Sequence, residues 1–158
     1  MHSNFMSKTM TSINDSTANP KLRTFKLFKN EFKLEQYLSQ SQNIMHTQAL
    51  ARFRISSHNL HIETGRYTQP KTPPEQRKCI YCNTDEVEDE LHLVLNCPMY
   101  ILERNELLHI IKPQISNYNH LTDTEKFTEI MTTKNPESLR AVSKFVYRCL
   151  DKRMTANP

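Results

Sequence analysis

From Cys79 to Pro98 the chain reads CIYCNTDEVEDELHLVLNCP, and this stretch carries the architecture. Three of the four cysteines and one histidine fall here, in the pattern C-x2-C-x9-H-x4-C. Zinc takes four thiolate or imidazole donors in a tetrahedron, and Cys3His is a common structural set. Two cysteines separated by two residues aim their sulfurs at one centre from a tight knuckle. Asn83 tolerates left-handed backbone, so it is expected to turn the chain after Cys82. Asp85, Glu86, Glu88, Asp89 and Glu90 then crowd the start of a helix, where the macrodipole favours acids. Val87, Leu91, Val94 and Leu95 give that helix its apolar face. Pro98 disfavours the α conformation in the residue before it. The helix should therefore end near Asn96, and Cys97 should swing back toward His92. The expectation is one structural Zn2+ held by Cys79, Cys82, His92 and Cys97, with no position left for water.

Three thiolate charges against the ion's two leave such a centre at net −1. Arg77 and Lys78, just before the first ligand, are placed either to offset that charge or to contact phosphate. Cys149 lies among apolar residues at helical spacing and reads as a small core hydrophobe. Intracellular thiols argue against disulfides.

Upstream, Leu22, Phe25, Phe28, Phe32, Tyr37 and Leu38 recur at loose helical spacing with charged residues between them, which predicts an amphipathic helix. A second helix is expected from Ile44 to about Glu63, burying Ala49, Leu50, Phe53 and Leu60, with Gly65 as a left-handed stop. Thr68 to Gln76, with three prolines, reads as a stiff linker. Downstream, Pro98 starts a helix with Tyr100, Ile101, Leu102, Leu107, Leu108 and Ile111 as core candidates. Thr122 and Glu125 form a capping-box pattern before Phe127, Ile130 and Met131. Asn135-Pro136 reads as cap and first helical residue, ahead of Leu139, Val142, Phe145, Val146, Cys149 and Leu150. No segment alternates with period two. The fold class expected is mainly α: a small helical domain built around a Cys3His zinc knuckle and followed by a C-terminal helical hairpin. Its divisions are a disordered tail over 1–20, a helical region over 21–70, a zinc-binding module over 71–112 and C-terminal helices over 113–158.

Composition narrows the function. Leu, Ile, Val and Phe make up 36 of 158 residues, a lean core for this length. The single glycine, Gly65, excludes Walker and GxGxxG loops, and with them standard kinases, GTPases and dinucleotide enzymes. No apolar run is long enough for a membrane span. The N-terminus lacks the apolar region of a signal peptide, so an intracellular protein is expected. Residues 1–84 carry 12 Lys/Arg against 5 Asp/Glu, whereas 85–158 carry 9 against 12. A basic half suits an acidic partner such as a nucleic acid, and equally a solvated surface.

The run RISSHNLHIETGRY (54–67), then Cys79-x2-Cys82, Val87-Glu88-Asp89-Glu90-x-His92, Asn96-Cys97-Pro98-Met99-Tyr100 and Arg104, resembles the C-terminal zinc-binding region of non-LTR retrotransposon reverse transcriptases. The likeness covers about residues 21–112 and is most specific over 52–104. It implies a module that positions element RNA or target DNA, with polymerase regions of a parent retroelement as a further partner. No YxDD polymerase centre, apurinic-type endonuclease or Ser/His/Asp arrangement is present in the sequence, so no enzyme activity is expected of this chain. Arg52, Arg54, Arg66, Arg77 and Lys78 form the basic set expected to contact RNA or DNA. Arg52 and Arg54 diverge on a helix, so one of them could pair with Glu instead.

Two other functions compete. A helical protein-interaction module with structural zinc fits the wide apolar face of the last helix and the scarcity of aromatics, which include no Trp. A zinc deaminase would use His61-Ile62-Glu63 with Cys79-x2-Cys82. Lys78 stands where that signature has proline, and His92 and Cys97 would go unused. His46, His58, His109 and His120 read as satisfied or exposed side chains, with His58 and His61 as reserve ligands.

Overall fold

In a computed structural model, the described residues are Thr11, 22–29, 31, 33–40 and 43–156. Apart from Thr11, the tail expected over 1–20 lies outside them, as does Phe32. The fold is helical as expected. The main elements are α1 (Phe25–Phe28), α2 (Gln36–Gln40), α3 (Ile44–Arg54), α4 (His61–Thr64), a π-turn (His92–Asn96), α5 (Ile101–Ile111), α6 (Asp123–Thr132) and α7 (Pro136–Thr155). Among the described residues there is no strand, only an isolated antiparallel bridge between Lys78 and Val87. None of the helices is long and apolar enough to cross a membrane.

The longest helix, α7, organises the rest. Asn135 caps it by accepting from the Glu137 and Ser138 amides, and Pro136 supplies a first-turn residue that needs no donor. Leu139, Val142, Phe145, Val146 and Cys149 recur every three or four residues and are buried. On one side they meet α3, on the other α5. The capping box at Thr122 and Glu125 starts α6 as expected. One continuous core runs from Phe28 and Tyr37 through Leu50, Phe53 and Leu60 to Leu93, Val94, Ile111 and the α7 face. Cys149 sits fully inside it.

Several expectations change. The helix expected from Leu22 to Leu38 is, among the described residues, the two short helices α1 and α2, and Leu38 is exposed. The helix from Ile44 stops at Arg54, because Ser56 turns left-handed (φ 53°) to present its hydroxyl to Glu90. Gly65 is not left-handed (φ −63°); it is small because Arg77 lies across it, and a Cβ there would stand 2.8 Å from Arg77 Cγ and Cδ. The left-handed residue of the knuckle is Asp85 (φ 55°) rather than Asn83. Ile101 and Leu102 are 53% and 67% exposed, because the short 3-10 turn over Pro98–Tyr100 sets the register of α5 so that Glu103, Arg104, Leu107 and Ile111 face inward.

Candidate metal centre

The knuckle is a short hairpin. Cys79 N–H donates to Glu86 O and Glu88 N–H to Arg77 O, which brings the two arms together across the Lys78–Val87 bridge. Asp89 then caps the next helical segment by accepting from the His92 amide at 2.8 Å. That segment closes as a π-turn: Cys97 N–H donates to His92 O at 2.8 Å, five residues back instead of four. Pro98 stops the helix, and the wider turn returns Cys97 to His92.

As a result Cys79, Cys82, His92 and Cys97 place their donor atoms within 4.8 Å of one another. Cys79 Sγ is 3.9 Å from Cys97 Sγ, and Cys82 Sγ is 3.4 Å from His92 Nε2. Metal–sulfur bonds of about 2.3 Å and metal–nitrogen bonds of about 2.0–2.1 Å at tetrahedral angles require separations of about 3.8 Å and 3.6 Å. The four side chains therefore fit a divalent ion.

Brought this close, the donors perturb one another. The Cys79 thiol is pushed up to about 12 by its hydrogen bond with Cys97 and by burial. The same contact lowers Cys97. For His92, burial opposes protonation, but contacts with Cys79, Glu86 and Cys82 prevail and raise it to about 9. A cation at the centre replaces these shared protons, because metal ligands bind deprotonated.

Two supporting residues were not legible as such. Glu86 Oε2 lies 2.6 Å from His92 Nδ1, which leaves Nε2 facing the cysteines. A carboxylate on the far nitrogen of a ligating histidine fixes the ring and raises its basicity. Arg104 is buried, and its guanidinium donates to the carbonyls of Val94 (2.8 Å), Leu93 (3.1 Å) and Cys97 (2.7 Å). The first two carbonyls close the helical segment, where such groups lack partners within it; that of Cys97 also accepts from the Tyr100 amide at 3.2 Å. Burial lowers the Arg104 pKa, and Cys97 partly offsets that. Arg104 is thus a cation close to the thiols. Its place in the next helix, shortly after Pro98, and its inclusion in the pattern that carries the resemblance were the sequence signals for such a role.

The other acids of the run act separately. Glu88 takes a two-pronged contact from Arg153 (2.6 and 2.9 Å) and also accepts from the His61 amide, tying the knuckle to the end of α7 and the start of α4. Glu90 is 0% exposed. It meets Arg23 Nη2 at 2.8 and 2.6 Å, Ser56 Oγ at 2.6 Å and His58 Nε2 at 2.8 Å. Burial alone would push its carboxyl up, but His58, Arg23 and Ser56 outweigh burial and hold it down at about 2. The acids expected to share one helix dipole are instead individual ties.

The basic set separates. Arg52 is exposed, with no side-chain hydrogen bond or ion pair to the described residues. Arg54 is interior: it donates to the Met131 carbonyl and Glu35 and stacks on Phe28 and Tyr37. Arg77 is also interior and donates to the carbonyls of Ile62 (2.6 Å) and Thr72 (2.9 Å), so it lies on no accessible face. Arg66 pairs with Glu63, and Lys78 donates to the Asp85 carbonyl. His61 stands outside the cluster, its Nδ1 2.8 Å from the Lys78 carbonyl, and Glu63 pairs with Arg23 and Arg66. A deaminase-type set of His61, Cys79 and Cys82 is therefore not brought together. No family model, curated protein or solved structure matches the chain.

Proposed function

We propose that this chain is a nucleic-acid-binding module held in shape by one structural Zn2+. The convergence of Cys79, Cys82, His92 and Cys97 supports the metal half of this reading. Three soft thiolates and one imidazole within reach of one centre are the donor set of zinc; magnesium and calcium prefer oxygen. Four protein donors saturate such an ion, so it acts as a fold-closing cross-link and not as a Lewis acid. The chain's own residues complete the support: Glu86 orients the imidazole, and Arg104 holds the carbonyls that end the turn.

The nucleic-acid half draws on the net charge of +4 and on the resemblance of residues 52–104 to the zinc region that follows the polymerase in non-LTR retrotransposons. On this reading the partner is RNA or DNA. Exposed Ile101 and Leu102 on one turn of α5 favour a second reading, a helical module that docks a protein.

Native mass spectrometry with and without a chelator tests the metal. The expected result is one Zn2+ per chain, loss of helical circular dichroism on its removal, and loss of the ion in Cys97→Ser but not in Cys149→Ser. Retention of zinc by Cys97→Ser overturns the assignment. Titration of labelled RNA and DNA at several salt concentrations tests the partner, because phosphate binding must weaken steeply with salt.

A further inference from the structure

A groove of about 290 Å3 runs between α3 and α7. Its floor is Ala49, Tyr147 and Leu150, and its rim carries Arg52 and the exposed Met154. The Tyr147 ring lies 5.0 Å from the His46 ring, so two flat side chains stand together beside the opening. Lys144 precedes Tyr147 by three residues, so helical spacing puts it beside that ring at the edge of the groove, although it also borders the α5–α7 cleft near Glu103 and Glu106. Arg140 precedes Lys144 by one helical turn, and both are exposed. Arg148 and Lys152 are committed to Glu106 and Glu103. The side chains of Arg52, Arg140 and Lys144, by contrast, have no hydrogen bond or ion pair to any described residue.

We infer that this α3–α7 face binds single-stranded nucleic acid, with a base stacked at Tyr147 and phosphates at Arg52, Lys144 and Arg140. The inference rests on the proposed function and gives it a location that the basic set from the sequence did not. Charge and shape select this occupant. A row of cations beside an aromatic platform is how single strands are held without sequence readout, because every base offers a π-face. A duplex hides its bases and presents nothing to Tyr147. Asp151 is the opposing feature: it lines the groove one turn beyond Tyr147 and repels phosphate there.

The test is fluorescence anisotropy of the zinc-loaded full chain with labelled oligo(U), oligo(dT) and a mixed-sequence duplex, each of about twelve nucleotides per strand. The salt slope for single strands is about 0.7 per neutralised phosphate, so the triple variant Arg52→Gln/Arg140→Gln/Lys144→Gln should lower it by about 2. Tyr147→Ala should weaken binding about fivefold or more, Tyr147→Phe should retain it, and Asp151→Asn should tighten it. Circular dichroism should match wild type throughout, since Arg52, Arg140, Lys144 and Asp151 are exposed and the half-buried Tyr147 opens onto the groove. Wild-type binding that the triple variant and Tyr147→Ala leave unchanged overturns this surface and spares the module reading. Duplex binding as tight as either single strand overturns the choice of a single strand. A wild-type chain that binds none of the three overturns both proposals and leaves the apolar floor to a protein partner. Oligo(U) against oligo(dT) separates RNA from DNA.

Discussion

Replacing Glu90 by Gln removes one charge from the most enclosed polar node of the molecule. Glu90 has no exposed surface and contacts Arg23, Ser56 and His58, residues that lie 67, 34 and 32 positions away in the chain. Its folded-state pKa of about 2, against an ordinary value of 4.5, corresponds to ~3 kcal/mol of stabilisation at neutral pH. Breaking one partner of a buried ion pair costs about 3–5 kcal/mol on other grounds, and the two figures agree. The stability of a domain is about 5–15 kcal/mol, so Glu90→Gln should remove a large share of it. Urea unfolding of the zinc-loaded proteins at pH 7 measures the loss. The pH dependence has a fixed sign. The folded pKa is depressed, so the unfolded chain binds more protons between the two values. The Glu90 contribution is fully present above about pH 5 and drains away as the pH falls from 4.5 toward 2. The difference between wild type and variant should begin to shrink as the pH falls below about 5, over the range in which both proteins keep their metal. A loss under ~1 kcal/mol at pH 7 refutes the reasoning.

Three further outcomes follow from the centre and its supports. Glu86→Gln should leave the helical spectrum intact but weaken zinc about 10- to 100-fold, read by competition with a chromophoric chelator. Arg104→Met strands the carbonyls of Leu93 and Val94 inside the protein, leaves that of Cys97 to the Tyr100 amide alone, and should cost ~3 kcal/mol in urea unfolding, with weaker zinc as a consequence. Gly65→Ala should destabilise by about 1–3 kcal/mol, because the new methyl displaces Arg77 from the Ile62 carbonyl; in an Arg77→Ala background, which removes the atoms the methyl meets, the same change should cost little further.

What the sequence disclosed and what it withheld divide by range. The ligand spacing, the break before Pro98, the Thr122 capping box and the Asn135-Pro136 start depend on neighbours a few residues apart, and each appears where local rules put it. The interior charges do not work this way. Arg54, Arg77, Glu88, Glu90 and Arg104 look like surface residues one at a time, because every rule for an isolated charge keeps it in water. Their burial depends on partners that are often remote in the chain, as Arg153 is for Glu88. The early end of α3 has the same origin: Ser56 leaves the helix for Glu90. Glu86 shows the intermediate case. Six residues separate it from His92, a distance that no helical or strand period brings together, and only the knuckle hairpin does.

The run from Asp85 to Glu90 has the look of a stretch any hydrophilic residue could fill. Its five acids nevertheless differ in what they do. One turns the chain, one steadies an imidazole, one anchors the last helix, one starts a turn and one sits sealed in the interior. None of these roles can pass to a neighbour, since the side chains leave the backbone in different directions. A saturation-mutagenesis map of the chain should therefore find narrow tolerance inside one of its hydrophilic stretches, strict at the buried Glu88 and Glu90 and looser at the exposed Asp85.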